Sequence, residues 1–235
     1  MVEDPVARQY VRHGRSEQRP KETKMQKVTD RQEWLDGLEI GTLDPPGMRE
    51  VFSVIARGMR DNPLHVAAFG DEPGIRQQRV HRLMSGAFPL RDFSHTLVAR
   101  DEDGAVVGVC GMMAPGGCQP GLRQQLLFLP TLTRIGPRSA GRVARWMGVW
   151  GKHDPEDRHW HLGPLAVDAH LQGRGVGSRL MQVFCAQMDA ARDDAYLETD
   201  KEINVRFYER FGFRVIGDEN VLGVNNYFMR RTGTR

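Results

Sequence analysis

The chain has 235 residues, 40% of them hydrophobic, and a formal net charge of +3. That length can bury the core of one domain with appendages. So small a net charge, with no concentrated basic stripe, argues against a nucleic-acid binder.

Three cysteines, Cys110, Cys118 and Cys185, show neither a disulfide framework nor a metal-ligand spacing. They fit a reduced compartment or buried small apolar groups. No apolar run approaches the roughly 18 residues of a membrane span. The N-terminal stretch mixes charges without an apolar signal segment. A cytoplasmic location, with no membrane and no nucleic-acid partner, is the expectation.

Residues 1–36 are polar and charged, with few apolar anchors. They are expected to form a flexible arm with one short helix near Arg31 to Leu35. LEIGTL, Leu38 to Leu43, reads as a short strand. PPGMREVFSVIARGMRDNP then reads as a helix, with Pro46 at its start, Val51, Phe52, Ile55 and Met59 on its apolar face, and Pro63 as its stop. A second helix spans Gly74 to Phe88. Acidic residues in the intervening Asp61 to Glu72 loop are either solvated or an attraction for a cationic amine.

The period then changes. SHTLVAR and AVVGVCGMM flank the turn DEDG and predict a β-hairpin, although two glycines weaken the second strand. Between Ala114 and Asp157 the pattern predicts a loop, a short helix interrupted by Pro130, and a helix carrying Val143, Trp146, Met147 and Trp150 on one side. Arg134, Arg138, Arg142 and Arg145 make this the most basic region. They form either a solvated helix face or a wall beside an anionic ligand. Trp146, Trp150 and Trp160 read as core or pocket walls.

Trp160 to Val167 is a strand containing Gly163-Pro164. Proline donates no ladder hydrogen bond, so one edge is open or bulged there. Val176 to Ala191 is an amphipathic helix. AYLET is a strand, Lys201 to Arg210 a helix stopped at Gly212, and FGFRVIG and VNNYFMR are final strands around a turn at Asp218 to Gly223. Thr199 and Glu202 have the spacing of a capping box. The strand–helix–strand unit is a parallel crossover, while the hairpin and the ending are antiparallel. The result is an α/β fold with a mixed sheet.

Between the strand ending at Val167 and the helix starting at Val176 lies QGRGVG, Gln172 to Gly177. Glycines before a helix N-terminus suit an anion, because the backbone approaches closely and the first-turn N–H groups lack intrahelical partners. Gln172 and Arg174 could add side-chain donors. A nucleoside-triphosphate loop would need a lysine after the last glycine, and none follows. A dinucleotide fingerprint would need its third glycine one residue later.

The segment LAVDAHLQGRGVGSRLM resembles the acyl-CoA-binding motif of the GNAT superfamily of N-acetyltransferases, with Gln172, Gly175 and Gly177 in the motif positions. LETDKEINVRFYERFGFRVIG is similar to the closing motif of the same family, through Asn204, Tyr208, Gly212 and Phe213. The resemblance covers most of Leu97 to Arg230. It implies a GNAT-like mixed sheet with a splayed parallel strand pair at its centre and helices on both faces. The domain would span 37–235, with a helical insertion around 114–157.

The resemblance implies acetyl-CoA as co-substrate. Leu165, Ala166 and Val167 would pair with the pantetheine arm, and a backbone N–H near Leu165 would stabilise the oxyanion. The amides of Gln172, Gly173, Arg174, Gly175, Val176, Gly177 and Ser178 would hold the pyrophosphate, with Asn204 on the cofactor arm. Tyr208 would be the general acid. The general base is open among Glu198, His161 and Asp168. The implied function is direct acetyl transfer to a primary amine, expected to belong to a small molecule, with a peptide or protein amine as a further option and a homodimer compatible. The alternative is a non-catalytic acyl-CoA-binding or regulatory module. His159 and His161 share a strand face, but no third ligand stands at a specific spacing, so no metal is expected.

Overall fold

The computed structural model describes residues 29, 32–44 and 47–233, which divide into two units, Met1–Asp36 and Gly37–Arg235. In the first unit, residues 32–36 are helical. Apart from Thr29, the rest of the expected arm, and Pro46, lie outside the described residues.

The second unit is built on a seven-stranded sheet in the order β1-β2-β3-β4-β5-β7-β6. The strands are β1 (Glu39–Thr42), β2 (Leu97–Arg100), β3 (Val106–Met113), β4 (Trp160–Val167), β5 (Ala195–Thr199), β6 (Arg214–Val221) and β7 (Val224–Arg231). Only β4 and β5 are parallel; the other neighbours are antiparallel. This is the mixed sheet expected, with the parallel pair near its centre. No described helix is long and apolar enough to cross a membrane.

All of β3 is buried, which requires cover on both faces. A Cβ on Gly108 would lie 2.7 Å from Val176 and 3.0 Å from Leu180 of helix α6 (Val176–Ala191). The next residue, Val109, belongs instead to the cluster around Val51 and Ile55 of helix α1 (Met48–Met59). Successive strand residues point to opposite faces, so α1 and α6 cover opposite sides of the sheet. Val51 and Ile55 are fully buried, each stabilising the fold by about 1.5–3 kcal/mol. The glycine that weakens β3 as an isolated strand is what lets α6 approach it.

Pro63 does not simply end a helix. Asn62 is extended, and Pro63 opens α2 (Pro63–Phe69) at a position where its missing N–H costs nothing. The supposed acidic loop is therefore largely helical. Two of its three carboxylates are engaged: Asp61 pairs with Arg60 and Arg76, and Glu72 accepts from the Gly74 N–H to cap α3 (Pro73–Ala87).

Between 114 and 157 lie two helices, α4 (Leu122–Arg134) and α5 (Pro137–His153). Pro130 does not interrupt α4. The carbonyl it cannot serve belongs to exposed Leu126, where water can take over the lost bond. Arg134, Arg138, Arg142 and Arg145 are all exposed, as a solvated face would be. The final turn is also tighter than expected. β6 continues through Val221, and Leu222 and Gly223, both at positive φ, make the reversal.

Candidate functional site

β4 and β5 are in register at only two pairs, Trp160 with Ala195 and His161 with Tyr196. Beyond His161 the strands part, while β4 stays joined to β3 through Leu165, Ala166 and Val167. The edge of β4 that faces β5 is therefore unpaired from Leu162 onward. Opposite Gly163-Pro164, a cis peptide, β3 carries an irregularity at Gly111. A Cβ there would lie 2.6 Å from the Gly163 carbonyl oxygen and 2.8 Å from Pro164 Cδ. Glycine at 111 lets the bulged strand lie against its neighbour.

At the C-terminal end of β4, Asp168 turns the chain toward the glycine segment. Arg57 Nε donates to its carboxylate at 2.9 Å, and His170 Nδ1 lies 3.1 Å away. Burial pushes this carboxyl up, but Arg57 and His170 outweigh it and hold it below its ordinary range. Asp168 thus anchors the turn and is not disposed to act as a base.

Gln172 does not reach outward. Its Nε2 donates to the Gly58 carbonyl at 2.8 Å and to the Val167 carbonyl at 3.2 Å. Of the two side chains expected as extra donors, the glutamine instead ties the turn to α1 and β4. Gly173 and Gly175 take positive φ, 76° and 111°, a region that side chains other than glycine's rarely adopt. Gly175 caps α6 with no side-chain hydrogen bond. The first-turn amides of Val176, Gly177 and Ser178 are left for an anion. The open β4 edge and this cradle both fit acetyl-CoA, the first its extended arm and the second its pyrophosphate.

A cavity of about 720 Å³ lies at the other end of the wedge. Gly163, Pro164 and Leu165 of β4 line it, as do Glu198 and Asn204; none of residues 172–178 does. Its walls are mainly apolar, with Leu83, Phe88, Phe93, Phe128, Trp146 and Trp150 among them. Trp160, by contrast, is absent from the lining and donates to Asp193 at 2.9 Å.

Helix α7 (Glu202–Glu209) carries Asn204 and Tyr208 one turn apart, and both line the cavity. Tyr208 is buried, and burial raises its hydroxyl pKa well above the usual phenol range. Asn204 Nδ2 donates to Thr199 Oγ1 at 3.1 Å. The predicted capping box does not form. Lys201 is the N-cap residue and makes no side-chain cap, Thr199 serves Asn204, and Glu202 pairs with Arg206.

Glu198 Oε2 lies 2.9 Å from His161 Nε2. Burial disfavours the charged ring of His161, but Glu198 and Asp154 around it raise its pKa well above the ordinary value. His161 therefore sits as a proton holder beside Glu198, a poor free base. Sequence spacing did not reveal three further lining residues, His65, Cys118 and Asp154. His65 stacks on Phe69 and meets the edge of Trp146, with neither ring nitrogen hydrogen-bonded. Burial lowers its pKa to about 3, with Lys201 and Arg76 adding to the effect.

A model of the acetyltransferase (GNAT) family matches residues 64–213. The chain is 33% identical over 106 residues to the N-alpha-acetyltransferase RimI of Mycobacterium tuberculosis; the match covers 41% of this chain and 64% of that relative. Among solved structures, it resembles a histone acetyltransferase HPA2 and related acetyltransferase from Corynebacterium glutamicum (TM-score 0.63, 19% identity, 85% of this chain and 98% of that one). It also resembles a polyamine N-acetyltransferase of Drosophila melanogaster (TM-score 0.58, 14% identity, 83% and 99%). At those identities the structures speak for the fold alone. The family match spans more than half of the chain and includes the splayed strands, the glycine turn and Tyr208, so the chain belongs to the acetyltransferase (GNAT) family.

Proposed function

We propose that this protein transfers the acetyl group of acetyl-CoA directly to a primary amine of a small molecule. The observation that carries the reading is the continuity of three features along β4: an uncapped glycine-rich helix start, an unpaired strand edge, and a cavity lined by a buried tyrosine.

The co-substrate supplies an activated acetyl thioester. The amides of Gly173, Gly175, Val176, Gly177 and Ser178 would hold its pyrophosphate, and the free edge at Leu165, Ala166 and Val167 would receive its pantetheine arm. Asn204, oriented by Thr199, would fix that arm from the opposite side. Attack by the amine forms the C–N bond as the C–S bond breaks. A backbone N–H near Leu165 would stabilise the charge developing on the carbonyl oxygen. Tyr208 would give its proton to the departing thiolate, a role suited to a phenol that stays protonated at neutral pH. Glu198 would take the proton lost by the amine, through water, with His161 positioning the carboxylate by its 2.9 Å contact.

The apolar and aromatic walls favour an amine with an apolar body, and the cavity's size suits a small molecule. The similarity to an N-alpha-acetyltransferase keeps a peptide amine as the second reading. Free-thiol release from acetyl-CoA across a panel of arylalkylamines, polyamines and short peptides separates these readings. Release above the hydrolytic background with small amines is expected. Release only with peptides would transfer the assignment to the second reading. Tight acetyl-CoA binding without release by any member would favour a non-catalytic module.

A further inference from the structure

At the closed end of the wedge, four side chains converge that the acetyl-transfer reading does not require together. Cys118 Sγ, Asp154 Oδ1, His159 Nε2 and His161 Nδ1 all lie within 4.8 Å of one another. From this arrangement we infer a structural metal site for one tetrahedral zinc ion.

Three of the six edges of the cluster already have the lengths that zinc needs. Cys118 Sγ is 3.5 Å from His159 Nε2, and Asp154 Oδ1 is 3.3 Å from His159 Nε2 and 3.4 Å from His161 Nδ1. With bonds of about 2.0–2.1 Å to nitrogen and oxygen and about 2.3 Å to sulfur, tetrahedral edges fall at about 3.3–3.6 Å.

The outward contacts are those of a ligand set. His159 Nδ1 lies 2.7 Å from the Asp157 carbonyl oxygen, and His161 Nε2 lies 2.9 Å from Glu198 Oε2. With an ion bound, each ring would donate its outer N–H to these acceptors and turn its other nitrogen's lone pair inward, the pattern that orients metal-bound histidines. Gln119 Nε2 donates to Asp154 Oδ2 at 2.9 Å, again from outside. Asp154 Oδ1 and His161 Nδ1 are buried with no hydrogen-bond partner. Once the two imidazoles give up their protons, their lone pairs, the Asp154 carboxylate and the Cys118 sulfur face one another and need a cation between them, the place a metal ion would take.

Sulfur and imidazole ligands exclude magnesium and calcium as the natural occupant and suit zinc. Four protein ligands leave no position for water or substrate, so the ion would be structural. Its role follows from the ligands' places in the chain. Cys118 lies in the turn that precedes α4, and Asp154 is the residue directly after α5. The ion would pin both ends of this helical pair to β4 and so fix one wall of the cavity. The ligands are shared between β4 and an insertion, which explains why the two histidines alone gave no metal spacing in the sequence.

The test uses the full chain purified from zinc-supplemented medium and dialysed against metal-free buffer. Elemental analysis should find about one zinc per chain, and cobalt substitution should give a tetrahedral spectrum with a thiolate charge-transfer band. Cys118→Ser should abolish that band, while Cys185→Ser, at a buried thiol outside the cluster, should leave it unchanged. Gln119→Leu, at an exposed outer contact, should weaken zinc in a chelator competition by about tenfold. Zinc far below one per chain with no cobalt spectrum would overturn the site. So would an unchanged thiolate band in Cys118→Ser. If that variant does not fold, the zinc content and cobalt spectrum of the unmodified chain decide the matter, with Gln119→Leu as the graded check.

Discussion

The two ends of β4 are built from different materials. Past Val167, the proposed anion cradle is almost entirely backbone: glycines at positive φ, an uncapped helix, and side chains such as Gln172 and Asp168 occupied in holding the turn still. Before Gly163, the site consists of side chains, with imidazoles, carboxylates, a thiol and a phenol packed at the cavity. A ligand part common to every reaction of a family can be recognised by main chain, which is insensitive to most substitutions. What distinguishes one acceptor from another must be read by side chains, and these come from distant segments.

Substitutions at the two ends should accordingly separate chemistry from cofactor binding. The largest effect is expected for Tyr208→Phe. Loss of a general acid should lower kcat by about 100-fold or more, with acetyl-CoA affinity nearly unchanged by calorimetry. Unchanged turnover and pH dependence would remove Tyr208 from the proton path.

Next comes a pH effect at the cavity end. His65 titrates near 3 when folded against 6.5 when free, so between those values the unfolded chain binds more protons. Its contribution to stability is present above about 6.5 and is lost as pH falls, with a slope approaching about 1.4 kcal/mol per pH unit. Urea unfolding across that range should show a shallower acid loss for His65→Leu. An identical slope would mean that His65 is not buried neutral.

At the backbone end, Gly175→Val forces a branched residue to positive φ at a cost of about 1–2 kcal/mol or more. Acetyl-CoA affinity should fall about tenfold, with the amine dependence at saturating co-substrate little changed. The smallest effect is expected for Gln172→Ala, which unties the turn from Gly58. A loss of about 1 kcal/mol in stability is expected, with a cofactor affinity change of only a few-fold. A large kcat effect from either substitution would break the division between the two ends.

The same division governs what the sequence disclosed. The open strand edge was legible because proline and glycine announce it locally, as was the glycine turn before a strong amphipathic helix. Asn204 and Tyr208 were marked only through the resemblance to the family's closing motif, and both line the cavity. Pro63 was misread because a proline that stops one helix is equally suited to start the next. The Thr199–Glu202 spacing was real, but partners on the helix itself, Asn204 and Arg206, took both side chains. The grouping of Cys118 and Asp154 with His159 and His161 was beyond reach. Cys118 and His159 stand 41 residues apart, and only the folding of α4 and α5 over the sheet brings them together.

The two-rung attachment of β4 to β5 also has a mechanical meaning. Strands joined at Trp160 and His161 alone behave as the arms of a pair of tongs, with those residues as the pivot. Their side chains brace the pivot on either side, Trp160 against Asp193 and His161 against Glu198. Any group that stiffens this pivot sets how far the arms stand apart at their tips, where the proposed co-substrate would slide between them. The rigidity of a few atoms at the closed end thus becomes the width of the opening several residues away.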